Sequence, residues 1–404
     1  MNALGSQIAR AFRHRDFRLL WTGAFLSFIG SWIQTVAQGY LVYTLTHSET
    51  ALGVVVFVRS LPYFFMGPIP GAFVDSFNKK TVLVITQLFL AGSSLYLSVA
   101  NHFHFVAYWQ IVICALVVGC TGAFEIPARQ SAVGAVVPPE DLSAAIPLNA
   151  LTFNLARLLG PAIGGIVLAK VGVDACYLVD GLSYFALVFA ALAIRSDLSA
   201  TKKEVQPITD LVLEGARYTF KERSLRTLFI LELIVSMCGI FYIALVPAIA
   251  DQMLNLGENL GYCYIAMAVG TVSSLLIIAA TSEKGKRAFV LRADMTLMAL
   301  ALLAMSFTHT RLVAFALFAV LGFCAVAHFN ITNTMFQLLS PPSLRGRVLS
   351  MHVWALSGIG PFGTMFFSWL AQHTSLATSL QAGSICMMFG ATGAWMSKRG
   401  LAAV

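Results

Sequence analysis

A chain of 404 residues in which 11% are Asp, Glu, Lys or Arg and 58% are hydrophobic cannot fold as a water-soluble globule, because soluble domains are about a quarter charged and need a polar exterior. A formal charge of +8 would suit a nucleic-acid binder only if the basic residues formed a patch on a polar domain, and they are spread between apolar stretches instead. Seven cysteines, scattered singly with no Cys-x-x-Cys pair, argue against a thiolate metal site and a disulfide framework.

A helix crossing hydrocarbon needs roughly 20 apolar residues, since only a complete helix satisfies its own backbone there. Twelve such spans are predicted, at 19–43, 50–74, 81–100, 105–124, 145–169, 174–194, 227–250, 260–280, 289–308, 312–337, 348–371 and 377–397. The expected fold class is therefore an all-α membrane protein. The apolar run after Arg18 is too long for the core of a secretory signal and lacks a cleavage site, so it is read as the first span. With the N-terminus placed in the cytoplasm, 22 of the 26 Lys and Arg fall on the inner side. Only Lys170 and Arg311 fall outside, and Arg59 and Arg157 lie within spans. That asymmetry sets both termini in the cytoplasm.

The longest hydrophilic stretch, 195–226, separates residues 1–194 from 227–404. Within it Leu211, Ala216, Tyr218 and Phe220 alternate with Glu214, Arg217 and Lys221, the pattern of an amphipathic interfacial helix. The halves echo each other. Phe17-Arg-Leu-Leu returns as Leu225-Arg-Thr-Leu, Pro138-Pro139 as Pro341-Pro342, and Gly160-Pro161 as Gly360-Pro361, at offsets of 208, 203 and 200 residues. Such duplication marks transporters built from two repeated bundles, here of six helices each.

The first span carries Ser27, Ser31, Gln34 and Gln38 on one helical face. Arg59, Arg157 and Asp180 lie at similar depths in the second, fifth and sixth spans, and a buried charge network among them is expected. Such a network serves either as a structural staple or as a proton or substrate site. Glu125 is expected to pair with Arg129 at i+4. In the fifth span Pro161 removes a backbone donor and bends the helix, while Gly160, Gly164 and Gly165 permit close contact with a facing helix. Gly261, Ala266, Ala268 and Gly270 of the eighth span offer a suitable surface. Glu232 lies inside the seventh span with Ser236 one turn later, either as a protonatable group or snorkelling toward Arg226. On the tenth span Asn330, Asn333, Thr334 and Gln337 repeat the polar face of the first. The alternative for both faces is hydrogen bonding between helices. Most of the eight histidines lie in expected loops, and His328 and His352 form no ligand set. No nucleotide-binding glycine loop occurs, so neither an ATP-driven pump nor a membrane-embedded enzyme is expected, and no cofactor or metal.

Gly71-Ala-Phe-Val-Asp75-Ser-Phe-Asn-Lys79-Lys80 resembles the loop between the second and third helices of the major facilitator superfamily, Gly-x-x-x-Asp-[Arg/Lys]-x-Gly-[Arg/Lys]-[Arg/Lys], with Ser76 and Asn78 departing from it. The resemblance implies two pseudo-symmetric six-helix bundles. It also implies a conformational latch of Gly71, Asp75, Lys79 and Lys80, with Asp75 near Arg345 and Arg347 at the start of the eleventh helix. Phe124-Glu-Ile-Pro-Ala-Arg-Gln130, Pro139-Glu-Asp-Leu142, Asn149 and Phe153-Asn-Leu-Ala-Arg-Leu-Leu-Gly-Pro-Ala-Ile-Gly-Gly165 resemble the branch of drug and enterobactin exporters, the transmembrane secretion effectors. So do Asn330-x-x-Asn-Thr-x-x-Gln337 and Arg345-Gly-Arg-Val-Leu-Ser350. This branch implies export of a small amphipathic drug or siderophore by proton antiport, from a monomer in the bacterial inner membrane, its partners being the substrate, protons and membrane lipid. In the superfamily the first, fourth, seventh and tenth spans line the cavity. Ser27, Ser31, Gln34, Gln38, Ser236, Asn330, Asn333, Thr334 and Gln337 are then cavity candidates. Glu232 is the first proton-coupling candidate and Asp180 the second. The first span holds no acid, where some drug–proton exporters place theirs. A lipid or lysophospholipid flippase, or an uncoupled facilitator, would share all of these features.

Overall fold

The computed structural model describes residues 10–66, 74, 76–199, 208–280, 287–341 and 344–397. Among the described residues there are helices and turns but no strand. In chain order the helices are α1 (Arg15–Thr46), α2 (Glu49–Met66), α3 (Lys79–His102), α4 (Tyr108–Val136), α5 (Leu142–Val171), α6 (Val173–Ala193), α7 (Ile208–Lys221), α8 (Arg223–Cys238), α9 (Tyr242–Ala248), α10 (Gly261–Ala280), α11 (Arg287–Ser306), α12 (Arg311–Leu339), α13 (Arg345–Val353), α14 (Gly360–His373) and α15 (Leu376–Met396). Ten segments among the described residues are long and apolar enough to cross a bilayer, the seventh of them running from Arg223 to Met253. They coincide with the first ten expected spans. The last two expected spans are helical but different in kind. Residues 345–373 are α13 and α14 joined by a π turn at Trp354–Ile359. The 21 residues of α15 are diluted by Gly, Ser and Thr.

Two elements depart from the expected rods. Helix α4 continues through Pro127 to Val136, so Arg129 is a buried helical residue and not part of a loop. Its pairing with Glu125 supplies the partner that lets the helix carry a charge inward. Fourteen residues of the hydrophilic stretch form the separate helix α7. The seventh span is broken at Gly239, where the amides of Gly239 and Ile240 both turn back to the carbonyl of Val235. Non-helical backbone at membrane depth survives only where protein answers its polar groups, and here the chain's own carbonyl does so.

Packing divides the chain into two compact units, residues 1–41 with 68–205 and residues 42–67 with 206–404. In the first unit α3 lies along α4 and α6. An apolar cluster of Phe17, Leu20, Leu83, Ala132, Leu148 and Leu187 ties α1, α3, α4, α5 and α6 together. In the second unit α10 lies on α12, α11 on α15, and α14 on both α2 and α8. Helix α2 thus packs with the second unit and not with its neighbours in sequence.

Close helix contacts in lipid depend on missing side chains, because van der Waals packing replaces the hydrophobic drive. The fifth-span glycines show this, with a different partner from the one expected. A Cβ on Gly160 would sit 2.3 Å from Cβ of Trp32, and one on Gly164 would sit 3.0 Å from Cα of Ile33. Both therefore face α1, not the eighth span. Gly270 of the eighth span instead meets the backbone of Ala319 on α12. Pro147 and Pro161 both lie inside an uninterrupted α5, and Gly165 is buried.

Replacing Gly160 by Ala is expected to destabilise the protein by about 1–3 kcal/mol through overpacking. Gly134→Ala, where a Cβ meets nothing within 4 Å, is expected to be neutral or to stabilise by up to about 1 kcal/mol through helix propensity. Thermal unfolding of the two detergent-solubilised variants, compared with wild type, checks the contrast.

Candidate functional site

The residues of the loop between the second and third spans come first in chain order. Gly71 and Asp75 lie outside the described residues. Lys79 and Lys80 open α3, where Asn78 caps the helix by accepting from the amide of Lys80. The Lys79 ammonium donates to the carbonyl of Ser199 at 2.7 Å, and Lys80 donates to the carbonyls of Leu192 and Ile194 at 2.9 and 3.2 Å. Arg15 adds a bond to the carbonyl of Ala193. Lys80 and Arg15 thus close the C-terminal end of α6, where orphan carbonyls and the helix dipole favour positive charge, and Lys79 ties down the segment that follows it. Asp16 completes the joint by accepting from the amides of Arg195 and Ser196 and from the Ser196 hydroxyl. In the second unit Arg347 pairs with Glu214 of α7, and the backbone of Arg347 rests against Gly215. Arg345 is exposed.

Within the first unit the polar groups are tied between helices. Ser27 donates to Gln87 of α3 at 3.0 Å, and Ser31 shares a hydrogen bond with Tyr184 of α6 at 3.0 Å. Gln34 donates to Gln38, one turn along the same helix. Two of the four first-span cavity candidates therefore serve as links between helices in this structure. Asp180 is fully buried and accepts from Ser94 of α3. Arg157, half-buried, belongs to the same unit as Asp180, whereas Arg59 on α2 belongs to the second. Glu125 and Arg129 form a buried pair at 3.1 Å. Arg129 also donates to Asn149 at 2.8 Å and lies over the ring of Phe28.

The second unit holds a different kind of centre. Glu232 of α8 is fully buried, with its Oε2 3.3 Å from Nε2 of His328 on α12 and 3.6 Å from Nδ1 of His352 on α13. Nδ1 of His328 lies 3.6 Å from Asp294 on α11. Four titratable groups from four helices therefore meet in one protein-lined core. All eight of their side-chain nitrogen and oxygen atoms are sealed from solvent, yet none has a completed hydrogen bond. Phe329 and Phe336 cover the ring of His352. Glu232 is held in the bundle and does not snorkel to Arg226, whose guanidinium donates to the carbonyl of Phe220. Among the described residues no group of His, Cys, Asp or Glu is arranged to hold a metal ion.

Sequence reading found Glu232 and missed its three partners. Asp294, His328 and His352 each lie in an apolar stretch, and a rule that treats every titratable group at membrane depth as a candidate would have flagged all three. The hydroxyl of Ser236, a cavity candidate, donates to the carbonyl of Ala355 at 3.1 Å and so braces the π turn. Asn330, Asn333, Thr334 and Gln337 lie on the other face of α12 from His328. Their recorded hydrogen bonds stay within that helix, and Thr334 and Gln337 are exposed. A second polar knot sits at the far ends of the helices. Gln252, in a π turn at Ile249–Met253, donates to Tyr43 and Glu49 at 2.8 and 2.5 Å, and Gln372 accepts from the Glu49 amide.

The sequence profile of the transmembrane secretion effector family matches residues 6–399. The chain belongs to this family of major facilitator transporters. This secretion effector is 24% identical over 354 residues to the staphyloferrin A transporter of Staphylococcus aureus, covering 87% of this chain and 88% of that one. It is 27% identical over 375 residues to the multidrug efflux pump Tap of Mycolicibacterium fortuitum, covering 89% and 90%. It is 21% identical to macrolide efflux protein A of Streptococcus pyogenes over 366 residues, covering 88% and 89%. Among solved structures, the nucleoside transporter NupG aligns over 95% of this chain and 98% of its own with a TM-score of 0.74 at 15% identity. A D-xylose–proton symporter aligns over 95% and 97% with a TM-score of 0.71 at 14% identity. Those likenesses show the major facilitator fold. The secretion effector is a multi-pass membrane transporter and not an enzyme.

Arg129→Leu alone leaves Glu125 charged and buried, and is expected to cost about 3–5 kcal/mol. Glu125→Leu with Arg129→Leu is expected to recover most of that loss, since an apolar pair needs no partner. Thermal unfolding of both variants in detergent checks this, and equal losses in the two would contradict it.

Proposed function

We propose that this secretion effector exports a small amphipathic molecule of the drug or siderophore class by alternating access, in exchange for protons. One observation carries the reading: α12 turns a titratable residue, His328, into a sealed core while its other side presents uncharged hydrogen-bonding groups. A transporter coupling a proton to a substrate needs both kinds of chemistry on elements that move together. Asn330, Asn333, Thr334 and Gln337 are suited to a neutral or multifunctional substrate, because amides donate and accept without the cost of a buried charge. Gln34 and Gln38 offer the same chemistry on α1. Glu232 is the first coupling candidate. Asp180, held by Ser94, is the second and fits better as a staple with Arg157.

The siderophore, multidrug and macrolide exporters that this chain resembles support an outward direction. The half-length duplication supports two six-helix bundles, residues 1–194 and 227–404, rocking about a central site. The placement of 22 of the 26 basic residues on one side supports an inner-membrane protein with both termini in the cytoplasm. The lysines and Arg347 that brace α6 and α7 support a cytoplasmic latch completed by Asp75 and Gly71.

The test is transport of ethidium by purified protein in proteoliposomes with an imposed pH gradient. Ethidium flux that follows the gradient and collapses with a protonophore is expected. Flux indifferent to the gradient would overturn proton antiport. A strain lacking the protein is further expected to gain sensitivity to ethidium or erythromycin, or to lose siderophore secretion, and a strain unchanged in all three would overturn the export reading.

A further inference from the structure

The cluster around His328 has features that a structural staple lacks. Buried polar groups in proteins are almost always hydrogen-bonded, because each unmade bond costs the full desolvation of the group. Asp180 and Glu125 in the first unit obey this, each having a donor within bonding distance. The four side chains of the second unit do not: they approach to 3.3–3.6 Å, beyond the usual range of settled hydrogen bonds. Apolar residues of similar volume would be at least as stable there. Buried groups held this near one another can exchange protons with little rearrangement of the chain.

Charge balance narrows the function. Two carboxylates and two imidazoles are electrically neutral when they share two exchangeable protons, either as two ion pairs or as two neutral acids beside two neutral rings. Loss of one proton leaves a net negative charge in the core, and gain of one leaves a positive charge. His328 is central, since its two ring nitrogens face Glu232 and Asp294, and it can donate to both only as imidazolium. Among the described residues no ion pair from a further Lys or Arg to these four groups is recorded. The thiol of Cys324, one turn from His328, adjoins Asp294. Arg292 on α11 is turned away to the carbonyl of Ala394 and the ring of Trp395. Helix α15 presents Ser384 and Met387 to α11 and α8, and α14 presents Gly360 and Gly363 to α8.

We infer that Glu232, Asp294, His328 and His352 form one shared proton-binding site within the second unit, read out through His352 by the π turn that follows it. His352 is the last but one residue of α13, and the π turn begins at Trp354. A π turn is rare inside a helix and occurs frequently at functional sites. Along their helices the four residues lie about 10–16 Å from the ends at Arg223, Arg287, Leu339 and Arg345, at 1.5 Å per residue. They therefore share one depth, nearer the basic end. The proton moves between the Glu232 and Asp294 oxygens and the imidazole nitrogens. No bond other than N–H and O–H forms or breaks. Proton exchange drives export only if the antiport reading above holds, but the shared site and its link to the π turn are properties of the protein alone.

The test needs no substrate. Full-length protein in lipid bilayers is titrated with pH while infrared difference spectra follow the carboxylic-acid carbonyl. In parallel, fluorine NMR of fluorotryptophan-labelled protein follows Trp354, its signal assigned by Trp354→Phe. Wild type is expected to show carboxyl protonation and a Trp354 shift with a common midpoint. Glu232→Gln and His328→Asn are each expected to move the midpoint of the remaining groups by about one pH unit or more, as coupled sites do. A Trp354 signal that ignores pH, or midpoints unmoved in Glu232→Gln, would overturn the inference, and Glu232→Gln decides alone if His328→Asn does not fold. Gradient-independent ethidium flux in wild type would strike the antiport reading and leave both spectra as they are.

Discussion

A carboxylate or an imidazole in hydrocarbon has no water to turn to, so its position is set by which neighbour can answer it. The first unit answers most of its buried groups by a direct bond. Ser94 bonds Asp180, Arg129 bonds Glu125, Gln87 bonds Ser27, and Tyr184 bonds Ser31. Each pair joins or stiffens helices, and together they make a bundle with little titratable slack. The second unit answers only in part. Its four central groups sit close enough to feel one another and too far apart to be satisfied.

The two units thus differ in how their buried polar groups are held. One is braced by settled hydrogen bonds and by the cations closing α6. The other carries the broken seventh span, both π turns and the unsatisfied cluster. A transporter with this distribution would place its chemical sensitivity in one half and its mechanical reference in the other. The bond from Ser236 to Ala355 fits that division, since it couples the span bearing Glu232 to the turn following His352.

Much of this was legible in the residues, for identifiable reasons. Ten spans followed from hydropathy because a bilayer fixes how long an apolar helix must be. The pairing of Glu125 with Arg129 followed from helical spacing, and the amphipathic α7 from alternation of apolar and charged residues. Glu232 stood out as an acid in an apolar run. The rest was hidden because it is tertiary. His328, His352 and Asp294 belong to three other spans, and no periodicity records that these spans converge. The direction faced by Gly160 and Gly164 depends on how α5 is rotated, which the spacing of glycines leaves open. The break at Gly239 and the two π turns carry no proline signal at their centres. The eleventh span looked continuous because its composition does not reveal a change of helical register.

That change of register also fixes the angle between the two helices it joins. A π turn holds one more residue than the α turn it replaces, and one residue rotates everything beyond it by about 100° around the helix axis. The six residues Trp354–Ile359 therefore act as an angular offset between α13, which aims His352 at Glu232, and α14, which lays Gly363 against Met237. Deleting a single residue there would regularise the helix and keep every polar side chain, yet no rotation could satisfy both ends at once. A substitution within the turn leaves that offset in place, whereas a change in its length turns the two segments out of alignment.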